Sequence, residues 1–428
     1  MLKLDLSRSW LDRARRVIPS ATQTFSKGPN QWARGVSPHF LERGAGAWVW
    51  DVDGNRYLDY LMALGPIILG YQNEAVDRAI VEQLKRGAVF SQMHPLEVEV
   101  AEMIVDLVPC AEMVRFAKNG SDVTTGAVRA ARAYTGRERV VYCGYHGWHD
   151  WYIGTTTRSL GVPKAVSELT HQFTYNDLAS LDALFRAYPG EIAAVMMEPV
   201  GVEPPAVGFL EGVRDLVSRN GALLIFDEIV TGFRFASGGA QAYFGVTPDL
   251  ACFGKAMANG MPLSAVTGRS EIMEIFDRIF FSGTFGGEAL SLAAGKATIA
   301  ELQKVDAFSH IWRVGQQLID GLNALLRDNG LETAAVCLGL APRSVLAFPH
   351  ADEYQSRVRR TYFMQECVKR GLLYFCSHIP TVAHGEAELE FTFKVLGEVV
   401  PLFAEAQRAD DFPARLESEV VEAIFRRA

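Results

Sequence analysis

The stretch Ala222-Leu223-Leu224-Ile225-Phe226-Asp227-Glu228-Ile229-Val230-Thr231-Gly232-Phe233-Arg234 opens on five apolar residues and breaks on two carboxylates. A short apolar run closed by charge reads as a strand buried on both faces. Similar runs lie at 113–117, 139–143, 192–197 and 250–254, with helical patterns between them. The alternation predicts an α/β fold with a mostly parallel sheet covered on both sides, whose ligand-bearing loops follow the carboxyl ends of the strands. Asp227 stands at such an end. A carboxylate leaving a buried strand is costly without a partner. The partner is either the start of a following turn, capped by the side chain, or a protonated heteroaromatic nitrogen of a bound ring.

Working outward, Ala251-Cys252-Phe253-Gly254-Lys255-Ala256-Met257-Ala258-Asn259-Gly260 places Lys255 just after another apolar run. In an apolar, positively influenced setting a lysine loses its proton readily and becomes a nucleophile; a strand-end lysine reaching for solvent is the plainer alternative. Asn119-Gly120-Ser121-Asp122 precedes an alanine-rich helical segment. Gly120 permits close backbone approach, Ser121 adds a hydroxyl, and free N–H groups at a helix start favour phosphate; a simple N-cap is the alternative. The P-loop pattern is absent. Tyr145-His146-Gly147-Trp148-His149-Asp150 follows the run ending at Cys143 and offers an aromatic that can stack on a planar group. The same residues contain two histidines and an aspartate, but no further ligands at metal-binding spacing, so no metal site is expected. Phe281-Ser282-Gly283-Thr284-Phe285-Gly286-Gly287 is a small-residue turn whose hydroxyls suit a phosphate oxygen.

The chain has 428 residues, enough for two or three packed lobes, and a formal net charge of −8. Mild acidity without a basic run gives no reason to expect nucleic acid or an anionic membrane. No apolar stretch approaches the length of a membrane span, and the first twenty residues lack a continuous signal-peptide core, so a cytoplasmic location is expected. The six cysteines are scattered without C-x-x-C pairs, as buried reduced thiols would be. Residues 8–16 read as a short amphipathic helix, 46–62 as two strands about Asp53-Gly54, and 311–327, 355–370 and 397–408 as helices. The expected organisation is an N-terminal segment, 1–70, packing with a small C-terminal domain, 308–428, and a large domain over 71–307.

Each element is weak alone, but their order and spacing together resemble the class III aminotransferases, close to the glutamate-1-semialdehyde aminomutase branch. The resemblance runs from Trp48-Val49-Trp50-Asp51-Val52-Asp53-Gly54-Asn55 to about residue 408, and Asp227–Arg234 followed by Gly254-Lys255-Ala256-Met257-Ala258-Asn259-Gly260-Met261-Pro262 is its most specific part. It implies the fold-type I, aspartate aminotransferase-like architecture, with a seven-stranded mostly parallel sheet and a smaller α/β domain. It also implies pyridoxal 5′-phosphate (PLP). By the resemblance, Lys255 is the Schiff-base lysine and proton shuttle, and Asp227 pairs with the pyridinium nitrogen. Ile229 and Tyr145 cover the two ring faces. Gly120 and Ser121 bind the phosphate, and Thr284 reaches the phosphate of a neighbouring subunit, which implies a homodimer. Glu198 matches a family glutamate near the cofactor, although no arginine partner stands out in the C-terminal part. His146 is a further candidate for the substrate side.

Two departures matter. Where the aminomutase has an N-terminal arginine for the substrate carboxylate, this chain reads Thr24-Phe25-Ser26-Lys27; Lys27 lacks arginine's bidentate fork. Where the family has Gly-Asn after the Thr284 turn, this chain has Gly287-Glu288. The segment from His146 to Tyr175 is also shorter than the aminomutase lid. The shorter lid favours a ping-pong aminotransferase, moving an amino group from a donor to an aldehyde or ketone acceptor; Lys27 and the family branch suggest an acceptor of sugar-like or phosphorylated character. A 2,1-aminomutase is the alternative within the family. A PLP-fold binding protein without catalysis is the alternative of another class, opposed by intact Lys255 and Asp227.

Overall fold

The computed structural model describes residues 2–422. The strands of its large sheet are β1 Met113–Ala117, β2 Arg139–Cys143, β3 Thr170–Gln172, β4 Ile192–Met197, β5 Leu223–Asp227, β6 Leu250–Phe253 and β7 Ser264–Gly268. Their spatial order is β1-β7-β6-β5-β4-β2-β3. From β6 to β3 every neighbour is parallel, while β7 runs antiparallel to both β6 and β1. The expected mostly parallel sheet is therefore present. Two of its strands escape a reading based on apolar runs. β3 is Thr-His-Gln at the sheet edge, and β7 is built of small residues that fit, fully buried, between two neighbours.

Alternate residues of the central strands enter different cores. Ala194 and Met196 of β4 pack with Leu223 and Ile225 of β5 and with Val123 and Ala127. Val195 and Met197 pack on the opposite face with Leu224, Phe226, Phe209 and Val213. Side chains alternate across a strand, so a sheet covered twice needs apolar residues at every position, as in Ile192–Met197. Two helices bear directly on the site. α1, Gly120–Thr135, follows β1 and ends at Gly136 in the left-handed conformation (φ +69°). α2, Ala289–Lys304, starts under the side chain of Glu288, which accepts the N–H groups of Leu290 and Ser291.

The chain divides into two compact units. One holds residues 65–67 and 74–308 and contains the large sheet. The other joins the segment up to residue 64 and residues 68–73 to the part from 309 onward. In this second unit Trp48–Asp51 and Arg56–Asp59 form an antiparallel pair around Asp53-Gly54, and Arg56–Asp59 is extended in parallel by Leu372–Leu373. Its core gathers Tyr57, Leu58 and Tyr60 with Leu318, Leu322, Phe363, Leu396 and Phe403. The helix expected over 397–408 is longer, Glu386–Ala409; its start is held by Glu388, whose carboxylate accepts the N–H of Gly385 at 3.1 Å. All six cysteines are free and buried. Among the described residues no helix is long and apolar enough to cross a membrane.

Candidate active site

Parallel pairing of β5 with β6 sets Asp227 opposite Cys252. Lys255 lies three residues beyond Cys252, at the start of a 3₁₀ turn, Lys255–Ala258, and is half-buried with φ +21°. Asp227 and Lys255 thus leave the sheet at the carboxyl ends of adjacent strands, where ligands of such sheets collect.

Asp227 is almost fully buried. One carboxylate oxygen, Oδ1, accepts the N–H of Ile229 at 3.1 Å, and Oδ2 lies 2.8 Å from Nδ1 of His146. The other ring nitrogen of His146, Nε2, lies 3.1 Å from the carbonyl oxygen of Cys143. A carbonyl only accepts, so Nε2 donates to Cys143, and a single proton held between Nδ1 and Oδ2 makes the hydrogen bond to Asp227. Trp151 lies parallel to the imidazole and Tyr142 and Tyr152 meet it edge-on. His146, a substrate-side candidate in the sequence, is buried beside Asp227 with both ring nitrogens hydrogen-bonded, and Gly147 follows it at φ +106°.

Gly120 and Ser121 open α1. The carboxylate of Asp122 accepts the N–H of Asn119 at 2.8 Å and of Lys118 at 3.3 Å, ordering the approach to the helix. N–H groups of a first helical turn have no acceptor within the helix and point outward. Ser121 Oγ accepts the N–H of Trp148 at 3.3 Å. A Cβ at Gly147 would stand 2.2 Å from that Oγ, so only glycine lets the two loops close on each other. Ile229 fills the space between the start of α1 and the end of β6. A Cβ on either Gly120 or Gly254 would lie 3.2 Å from its Cδ1.

Tyr145 is half exposed, packs edge-on against Tyr152, and donates its backbone N–H to Glu198 Oε1 at 2.9 Å. Burial, and then the charge of Asp227, hold its hydroxyl above the usual phenol range. Glu198 also abuts Gly144, where a Cβ would meet Oε1 at 3.2 Å. Glu228, next to Asp227, serves the scaffold: its carboxylate accepts the N–H groups of Ala240 at 2.7 Å and Gln241 at 2.8 Å, and burial pushes its carboxyl above the ordinary range. Arg234 is buried and donates to the carbonyl of Gly65 at 2.8 Å.

Thr284 is exposed at the tip of the segment between β7 and α2. Lys27 belongs to the other unit, exposed on the turn Phe25–Lys27. His149 Nδ1 lies 2.8 Å from Thr125 Oγ1. Among the described residues there is no group of three or more His, Cys, Asp or Glu side chains that could hold a metal. A buried acid backed by histidine, a lysine at the next strand end and a helix start packed against glycines suit a flat ring bearing a basic nitrogen, a carbonyl and a phosphate. PLP has these three features.

Two further residues support the site without a sequence motif of their own: Lys118, which donates to Glu288 at 3.0 Å, and Tyr152, which packs on both Tyr145 and His146. The unusual Glu288 in the sequence was the one available sign of the Lys118 contact.

Residues 31–336 match the family model described as "Aminotransferase class-III". A 3-aminobutyryl-CoA aminotransferase from Cloacimonas acidaminovorans is 41% identical over 338 residues, covering 77% of this chain and 81% of the relative. A glutamate-1-semialdehyde 2,1-aminomutase from Alkaliphilus oremlandii is 43% identical over 338 residues, covering 74% and 79%. Among solved structures, the PLP form of the FumI protein from Sphingopyxis sp. MTA144 superposes with a TM-score of 0.87 at 28% identity, covering 96% of this chain and 98% of that one.

Proposed function

Because this chain belongs to the class-III aminotransferases, a family of PLP-dependent enzymes, we propose that it moves an amino group between two separate small molecules, with Lys255 and Asp227 as the catalytic pair. The observation that carries the reading is the placement of Asp227 and Lys255 at adjacent strand ends, with His146 fixed behind the carboxylate.

Bound PLP supplies a carbonyl that links to amines and a ring that accepts electrons. Lys255 would hold the cofactor through Nζ and, once displaced by the donor, move the proton at the donor's α-carbon. Asp227 would pair with the ring nitrogen, and His146 would hold the Asp227 carboxylate in orientation. Ile229 and Tyr145 would flank the ring, and Gly120 and Ser121 would take the phosphate. Glu198 acts on this site by fixing the backbone of Tyr145.

Transfer between two molecules is favoured over an internal shift by the segment after His146. Trp151 and Tyr152 anchor it in the core, and Thr155 Oγ1 donates to the Tyr142 hydroxyl at 2.8 Å. A segment tied down so early gives little cover to hold a released intermediate, which an aminomutase must retain.

We further infer a homodimer in which Thr284 reaches the partner's phosphate. The exposed Phe280 and Phe285 beside Thr284, together with Phe90 and Met93, supply apolar surface for such a contact.

The test is a donor and acceptor screen that measures the keto acid formed. An aminotransferase yields one donor-derived keto acid per aminated acceptor. Product formed from a single amino aldehyde, with no keto acid released, would establish the aminomutase instead.

A further inference from the structure

The Thr284 segment is fastened at both ends and projects at its tip. Arg129 Nη1 donates to the carbonyl of Phe280 at 2.5 Å, and Arg115 Nη2 to that of Phe281 at 3.0 Å. At the other end Glu288 is saturated: Oε1 accepts the N–H of Leu290 at 2.6 Å, while Oε2 accepts the N–H of Ser291 at 3.1 Å, its hydroxyl at 2.6 Å, and Lys118 Nζ at 3.0 Å. Between these anchors Ser282, Gly283, Thr284 and Phe285 are exposed.

Lys118 is no ordinary surface cation. It directly precedes Asn119-Gly120-Ser121, and the Lys118 and Glu288 side chains are only 18% and 13% exposed. The ion pair therefore joins the strand end that feeds the Gly120-Ser121 turn to the base of the Thr284 tip. A partly buried pair whose carboxylate is held by several donors keeps its geometry better than an exposed one, and removing one partner leaves a charge uncompensated. Glu288 supplies the charge that pairs with Lys118 while also capping α2.

We propose that Lys118 and Glu288 are a positioning pair that sets the Thr284 tip and the Gly120-Ser121 turn relative to one another, so that retention of PLP depends on the pair. The inference rests on the reading of those two loops as phosphate contacts.

A double-mutant cycle on the full-length protein tests it. The dissociation constant of PLP for the resolved apoenzyme is measured by equilibrium dialysis for Lys118→Met, Glu288→Gln and the double variant, alongside apoenzyme Tm. Glutamine keeps an oxygen for the α2 cap, so loss of the charge is isolated from loss of the cap. Each single variant is expected to raise the dissociation constant about tenfold, the double no further, and Lys118→Arg to restore most of the affinity. Single variants within twofold of the parent, or losses that add in the double, overturn the pair; so does a fall in Tm without a change in PLP affinity. Ser121→Ala separates the two levels. If it too leaves PLP affinity unchanged, the phosphate reading fails; if it releases PLP while the pair variants do not, only the pair fails.

Discussion

Asp227 has His146 on one carboxylate oxygen and the Ile229 amide on the other, so the carboxylate cannot turn freely. Replacing it with asparagine keeps the shape and removes the charge that would hold a ring proton. Asp227→Asn is expected to lower turnover by roughly 10²–10³-fold, the size of losing one preorganised electrostatic contact, with the fold intact by circular dichroism. His146→Phe should preserve the aromatic cage while leaving Asp227 Oδ2 without its hydrogen-bond partner. Turnover should fall by about tenfold or more, read from initial rates. Unchanged turnover would mean that His146 only fills space. At this scale the sequence named the residues better than their partners. Asp227 was legible because charge ends an apolar run. The contact with His146 spans 81 positions and was not, since nothing local tells an inward imidazole from one facing substrate.

At the scale of elements, the central strands were readable because burial on both faces demands unbroken apolar runs, as in Ile192–Met197. β3 and β7 were not, because pairing decides an edge strand and a strand of small residues, and pairing leaves no local pattern. The turn at Gly147 depends on a contact with Ser121 that leaves no local pattern. A methyl group there would collide with Ser121 Oγ and would require a strained φ. Gly147→Ala is expected to weaken PLP binding by about one to two orders of magnitude, equivalent to the 1–3 kcal/mol typical of overpacking, measured by dialysis. The second unit carries a pH dependence of its own. His378 is buried, with Ser344 Oγ 2.8 Å from Nδ1 and the Tyr374 hydroxyl against Nε2, and burial lowers its pKa from 6.5 to about 3. The folded form therefore binds this proton more weakly than the unfolded form. The stabilisation is complete above about 6.5 and is lost as pH falls from there toward 3. Urea midpoints should fall between pH 7 and pH 5, and less steeply in His378→Gln; equal slopes would remove His378 from the account.

The molecule as a whole sets a seven-stranded sheet in one compact unit and joins the segments before residue 65 and after 308 in the other. The fold class was legible in the order of the motifs. The supports of the site were not, since Lys118 and Glu288 are 170 positions apart. The exposed tip at Thr284 places a further prediction here. Sedimentation should give twice the chain mass, and Thr284→Ala should release PLP more readily without dissociating the dimer; a monomer that retains PLP would remove the partner's role. The most direct measurement is borohydride reduction of the PLP-loaded protein, followed by peptide mass mapping. The account predicts one pyridoxyl-modified lysine, Lys255, lost in Lys255→Ala together with activity. Modification at another lysine, or none while the protein remains active, would contradict it.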